Sequence, residues 1–442
     1  MKYFFSVFLL GVLVSVSAQK TILINNVQVF NGKDEKTMVA NLLIVDNLIA
    51  KISTAPIPVN KSANTTIIDG GGKFLMPGLI DAHAHIMMES LPMSTSLNAD
   101  ISYLTLAASV AAEKELLRGF TSIRDMAGPA FGLKRAIDEK MVKGPRIYPS
   151  GAMISQTSGH GDYYGPNDMP RQFGAPLSFL EKNNLGIIAD GSDQVLMRVR
   201  EQLRLGASQI KLSAGGGVSS TFDPLDVAQY TEEELRAAVN AADNWGTYVA
   251  VHAYTPKAIK TAIDAGVKCI EHGQLMDESS AKLMAEKNIW LSMQPFLDDE
   301  DAIPFKEGTI NRKKQLQMTA GTENAYLLAK KYKLKLAFGT DCLFDAKLAN
   351  RQGFQLAKLV KWFSPFEVLR MATSVNAELL ELCGLRNTYV DGKLGVIEQG
   401  AYADILLVDG NPLKNIQLIT DPEKNFLLII KDGIIYKNII AR

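Results

Sequence analysis

The residues of this 442-residue chain that suit metal chemistry are few, and they recur in one kind of context. The five histidines are His83 and His85 in Pro77-Gly-Leu-Ile-Asp-Ala-His-Ala-His85, His160 in Ser158-Gly-His-Gly-Asp162, His252 in Val249-Ala-Val-His-Ala-Tyr254, and His272 in Ile270-Glu-His-Gly273. Four of them close short apolar runs, and neutral imidazole is a common ligand for zinc and similar ions. On a strand, alternate residues point the same way, so His83 and His85 project into one space. Asp341, ending Ala337-Phe-Gly-Thr-Asp341, adds a carboxylate. Lys211 interrupts the apolar run Gln209-Ile-Lys-Leu-Ser213, where a charged amine is costly unless paired or neutralised. Burial lowers a lysine pKa, and the neutral amine can take up carbon dioxide as a carbamate, whose two oxygens can bridge two cations. The plain alternatives are imidazoles satisfied within a core and a lysine reaching solvent along its stem. They require a separate coincidence at each position.

The elements that must position these residues are short strands followed by amphipathic helices. Candidate strands are Leu79–His85, Ser122–Asp125, Arg146–Ser150, Gln209–Ser213, Tyr248–Tyr254, Cys269–His272, Trp290–Gln294 and Leu334–Asp341. Several are continuous apolar runs, as strands of a parallel sheet buried on both faces should be. Thr231-Glu-Glu-Glu-Leu-Arg236 supplies a hydroxyl cap and an acidic first turn for one helix. Eight such units predict an α/β chain built as a (β/α)8 TIM barrel over residues 77–384, with its site at the C-terminal ends of the strands. The candidate ligands fall at the ends of the first, fourth, fifth, sixth and eighth strands. The flanks, 19–76 and 385–442, alternate apolar runs with the turn pairs Asn25-Asn26, Asp46-Asn47 and Asp432-Gly433. Each flank is too small for its own core, so both are expected to join in one small β-sandwich domain.

Bulk properties narrow the class further. Lys2, the apolar run Tyr3 to Val16 and Val16-Ser17-Ala18 have the pattern of a cleaved signal peptide over residues 1–18, which predicts an exported protein, periplasmic or secreted. No second long apolar run follows, so no membrane association is expected after cleavage. Formal net charge is zero with 47 basic and 47 acidic residues, which speaks against a nucleic-acid partner. Cys269, Cys342 and Cys383 are too few for a disulfide framework and read as buried free thiols.

Together these motifs resemble the amidohydrolase superfamily over nearly the whole mature length. Within it, Ser158-Gly-His-Gly-Asp162, Lys211-Leu-Ser-Ala-Gly-Gly-Gly217, His252-Ala-Tyr254 and Ile270-Glu-His-Gly273 most resemble the Xaa-Pro dipeptidase (prolidase)-like carboxypeptidases, relatives of imidazolonepropionase. Gly392-Lys-Leu-Gly-Val-Ile-Glu-Gln-Gly400 and Ala403-Asp-Ile-Leu-Leu-Val-Asp-Gly410 resemble the segment that follows the barrel in that superfamily. The resemblance implies two divalent ions, zinc by donor type, with manganese or cobalt admitted. His83, His85 and Asp341 would hold one, His252 and His272 the other. Lys211, modified to N6-carboxylysine by carbon dioxide, would bridge them together with a hydroxide. The implied reaction is attack of metal-bound hydroxide on an amide carbonyl, most simply of a dipeptide, with Asp341 as general base and then acid. It further implies that His160 and Tyr254 contact the carbonyl oxygen or carboxylate of the substrate. Expected partners are a small-molecule or dipeptide substrate and further copies of the chain in a homo-oligomer.

Other motifs carry less. The long segment after the third strand, with Tyr163, Tyr164 and Phe173, reads as a lid or pocket wall. Gly215-Gly-Gly217 lacks the lysine and spacing of a phosphate loop and suits a close backbone approach. Asp298-Asp-Glu-Asp301 could select a basic substrate, but reads more simply as a solvated acidic run. Cys342, beside Asp341, reads as a packing thiol. Two rival functions stay open: a mononuclear cyclic amidase or deaminase, imidazolonepropionase-like, and a non-catalytic scaffold on the same fold.

Overall fold

The computed structural model describes residues 19–172 and 174–440. The leader pattern over 1–18 and Phe173 lie outside the described residues.

The N-terminal flank forms β1 (Thr21–Val29), β2 (Met38–Val45), β3 (Leu48–Ser53), β4 (Thr65–Asp69) and β5 (Phe74–Pro77). In the central region follow β6 (Leu79–Ala84), β7 (Phe120–Asp125), β8 (Arg146–Pro149), β9 (Met153–Ser155), β10 (Gly186–Ile188), β11 (Ile210–Ser213), β12 (Val249–Ala253), β13 (Cys269–His272), β14 (Trp290–Met293) and β15 (Lys335–Phe338). The C-terminal flank adds β16 (Ile405–Val408), β17 (Phe426–Lys431) and β18 (Ile434–Asn438).

Both flanks share one eight-stranded sheet in the order β18-β17-β16-β5-β1-β2-β3, with β4 also paired to β1. The antiparallel β16–β5 ladder, Leu406 opposite Met76, joins the two ends of the chain. Alternation along these strands divides their side chains between two cores. Leu75, Ile405 and Leu407 pack with Ile24, Leu42 and Ile430, whereas Met76, Leu406 and Val408 pack against the central body with Phe120. Asp46 and Asp432 take the positive φ of the two hairpin turns. Asn25-Asn26 does not turn the chain: β1 runs through it with a bulge between Ile24 and Val27. Asn26 spends its left-handed conformation there.

The central strands are all parallel and form a three-stranded sheet, β6-β7-β8, and a seven-stranded one, β10-β9-β11-β12-β13-β14-β15. Side-chain amides span the two gaps between them. Asn376 accepts from Phe338 N and donates to Phe338 O and, at 2.7 Å, to Ile80 O, linking β15 to β6. Gln209 donates to Tyr148 O at 2.8 Å, linking β11 to β8. Strands β9 and β10 lie inside the long segment after β8; three residues each, they are too short to show as periodicity. Helices separate the later strands, among them Glu232–Asn244, whose Thr231–Glu234 capping box forms. No helix among the described residues is long and apolar enough to cross a membrane.

Candidate metal centre

His83 and His85 leave the end of β6 side by side, with ring centroids 5.1 Å apart. Asp341 meets them from the segment after β15, its Oδ1 3.0 Å from His85 Nε2 and 3.6 Å from His83 Nε2. The approach is set by backbone. Asp341 N donates to His83 O at 2.8 Å, and a Cβ on Gly339 would strike the His83 Cβ and lie 2.7 Å from its backbone N. Buried Asp81 accepts from His83 N at 2.9 Å and Thr340 N at 3.1 Å, tying strand end to loop. Asp341 itself is held at φ +50°, a conformation that costs energy outside glycine. One ligand atom from each of His83, His85 and Asp341 falls within 4.8 Å of the others, a group able to hold a metal ion.

His252 and His272 stand beside this group at the ends of β12 and β13, with ring centroids 4.4 Å from each other and His272 4.9 Å from His83. In three imidazoles one ring nitrogen is already committed to an oxygen. His83 Nδ1 donates to Glu271 at 2.7 Å, His272 Nδ1 to the Gln294 side-chain Oε1 at 2.8 Å, and His252 Nε2 to Gly216 O at 3.0 Å. An acceptor on one nitrogen places the proton there and leaves the other a free lone pair. Burial, reinforced for His83 by Lys211, pushes the pKa of all three well down and keeps them neutral.

Lys211 lies on β11, buried in the floor of the same cleft. Burial lowers its pKa to about 8 against the opposing pull of Glu271 and Asp341. Glu271 is itself clamped by Arg124, whose Nη2 is 2.7 Å from both carboxylate oxygens. Burial is the largest single influence and opposes the charge of Glu271, but Arg124, Lys211 and hydrogen bonds from Cys269 and Ser292 together outweigh it and hold the carboxyl below the ordinary range.

The cleft, with the open solvent at its mouth, takes in about 1000 Å³, and His83, His85, Lys211, His252, His272 and Asp341 all line it, as do His160 and Tyr254. His160 stacks on His252 at 4.2 Å, and its Nδ1 is 2.7 Å from Ser220 Oγ. Gly217 has no room for a side chain because His160 fills that space. Burial brings the His160 pKa down to about 4 and raises that of Tyr254 well above its ordinary value. Tyr163 reaches the cleft, whereas Tyr164 lines a separate depression. Buried Cys342 packs with Leu348 O and the Gln355 amide, and burial raises its pKa well up, against a nucleophilic role. All three cysteines are free and buried. The acidic run is solvated in part, with Asp298 and Glu300 exposed, but it is also paired: Lys358 lies 2.7 Å from both Asp299 and Asp301, and Arg312 2.6 Å from Asp298.

The Amidohydrolase family profile matches residues 74–437, a span that holds every residue of this cluster. The chain belongs to the amidohydrolase family. It is accordingly a metal-binding hydrolase of the kind that acts on C–N bonds of small molecules. Ochratoxinase of Aspergillus niger is 31% identical over 425 residues, covering 92% of this chain and 84% of that protein. Among solved structures, an amidohydrolase superimposes with TM-score 0.84 at 35% identity, covering 96% of this chain and 100% of its own. A prolidase complexed with N-methylphosphonate-L-proline gives TM-score 0.85 at 30% identity over 95% of this chain and 100% of its own.

Proposed function

We propose that this amidohydrolase cleaves the amide bond of a dipeptide or closely related amino-acid amide, as an Xaa-Pro dipeptidase or carboxypeptidase-like enzyme using two divalent cations. The reading rests above all on one observation. Four imidazoles, Asp341 and Lys211 converge at one end of the strands, and three of those imidazoles have their second nitrogen tied back. A prolidase and ochratoxinase among the similar proteins support the same class. On this reading the two parallel sheets close as one (β/α)8 barrel over 77–384. The flanks, 19–76 and 385–442, make the β-sandwich domain, and the leader pattern of residues 1–18 directs export.

The donor set fits such ions. His83, His85 and Asp341 would hold one and His252 and His272 the other, with Lys211 as a carbamate between them; nitrogen and oxygen donors suit zinc. Such ions, when bound, would supply Lewis acidity for a carbonyl and make water nucleophilic near neutral pH. Asp341 takes the proton of the attacking water and delivers it to the leaving nitrogen. Tyr254, kept protonated by burial, donates to the carbonyl oxygen or carboxylate of the substrate. His160, with Nδ1 engaged by Ser220, offers Nε2 to the same part of the substrate.

A second reading has its own observation. His83, His85 and Asp341 alone form a compact three-ligand group, which would serve a mononuclear cyclic amidase or deaminase. Metal analysis combined with a screen of Xaa-Pro, Xaa-Arg and N-acyl amino acids separates the two. The expected result is about two ions per chain, hydrolysis of at least one of these amide classes, and a loss of about 10²- to 10⁴-fold in kcat in Asp341→Asn. One ion per chain would favour the mononuclear reading, and undiminished hydrolysis by Asp341→Asn would remove that residue from the chemistry.

A further inference from the structure

The cleft above the ligands has apolar walls on two sides. On one, Val218, Phe296, Phe305 and Met318 pack together with Tyr254. On the other, Met88 and Met153 belong to a separate apolar cluster. Methionine and phenylalanine offer adaptable, uncharged surface to an apolar ligand. Among the described residues that line the cleft, Lys211 is the one lysine or arginine, and Asp301 is the one carboxylate besides Asp341.

Asp301 is already compensated. Its side chain is 5% exposed, Lys358 Nζ lies 2.7 Å from Oδ2, and Arg351 Nε pairs with Oδ1. Lys358 also holds Asp299 at 2.7 Å, and Arg351 reaches Glu300 at 3.3 Å. Each cation thus fastens a second acid of the same run, which fixes the loop that carries Asp301.

We infer that the cleft selects substrates whose side chains are large, apolar and uncharged, and that Arg351 and Lys358 are specificity-determining residues that withhold Asp301 from a basic side chain. The inference rests on the hydrolytic reading above and names its substrate class. A substrate lysine or arginine would lose its water between apolar walls and find no free carboxylate, a large penalty. A substrate glutamate would meet Asp301 and Asp341 with no uncommitted cation on the walls. A leucine or phenylalanine side chain pays neither penalty and gains burial.

The test uses the metal-loaded enzyme and the dipeptides Ala-Phe, Ala-Leu, Ala-Lys and Ala-Glu, their N-acetylated forms, and phosphonate isosteres of each. The expected kcat/KM for the Phe and Leu substrates exceeds that for Lys and Glu by at least about tenfold. In Lys358→Met, which frees part of the Asp301 charge, the Phe-to-Lys ratio falls by about tenfold or more. Equal turnover of the Phe and Lys substrates by the wild type would overturn the inference, and so would an unchanged ratio in a folded Lys358→Met. If no amide is hydrolysed, the hydrolytic reading fails on its own. The isosteres then decide the cleft: tighter binding of the Phe and Leu forms supports it, and equal binding of all forms overturns it. The wild-type ranking stands as the test should Lys358→Met fail to fold.

Discussion

At the scale of single residues, the orientation of His83 depends on a charge the substrate never meets. Glu271 accepts a hydrogen bond from His83 Nδ1 at 2.7 Å and is neutralised by Arg124. Both are fully buried. Removing one partner of a buried ion pair leaves the other uncompensated, which costs about 3–5 kcal/mol. Hydrogen-bond partners of metal-bound histidines are worth about 10- to 100-fold in metal affinity or activity. Glu271→Gln keeps the shape and deletes the charge, so both effects should appear together. Urea unfolding of the metal-free variant should show the stability loss, and metal titration the weakened affinity. A variant with wild-type stability would mean that Arg124 finds another counter-charge.

At the scale of elements, Asn376 does for β15 and β6 what a ladder would otherwise do. It follows the π-helical stretch Met371–Val375 and fills three hydrogen bonds, to Phe338 N, Phe338 O and Ile80 O. Ile80 and Phe338 each lie three residues before a candidate ligand, His83 and Asp341. Asn376→Ala strands three buried backbone groups, at about 1–3 kcal/mol each. A destabilisation of about 3–9 kcal/mol is expected, with reduced metal retention, measured by chemical denaturation and metal analysis. This bridge was not legible in the sequence, because a single amide far along the chain carries no periodicity. The strands it joins were legible: parallel strands buried on both faces read as apolar runs, and their observed ends differ from the expected ones by up to three residues. The cluster residues were legible for the related reason that a polar residue in such a run demands a cause. Glu271 and Arg124 obey the same rule, yet they answer each other and the His83 ring rather than an ion, and only the fold brings β7 and β13 face to face across the interior. Asn25-Asn26 misled because positive φ serves a bulge as readily as a turn.

At the scale of the whole molecule, the flanking sheet is fastened to the central body by charge as well as by apolar packing. Arg146 of β8 pairs with Asp404, which is buried, and reaches Asp432 of the β17–β18 turn at 2.8 Å. Its guanidinium also lies 4.1 Å over the Tyr402 ring. Lys431 sits in the same junction, 5% exposed. Burial first, then repulsion from Arg146, lowers its pKa from 10.5 to about 8, although Asp404 and Asp432 pull the other way. Between those two pH values the unfolded chain holds a proton on Lys431 that the folded chain has released. Stability therefore rises with pH across that window, and below it the folded state carries the full cost, about 3 kcal/mol. Lys431→Met keeps the stem and removes the charge. The variant should be more stable than the wild type at pH 7 by up to about 3 kcal/mol, and the difference should shrink as the pH rises from 8 towards 10.5. Denaturation midpoints for both proteins across that range give the comparison. Parallel pH profiles would mean that Asp404 and Asp432 hold the Lys431 proton despite Arg146, and that the junction carries two working cations rather than one.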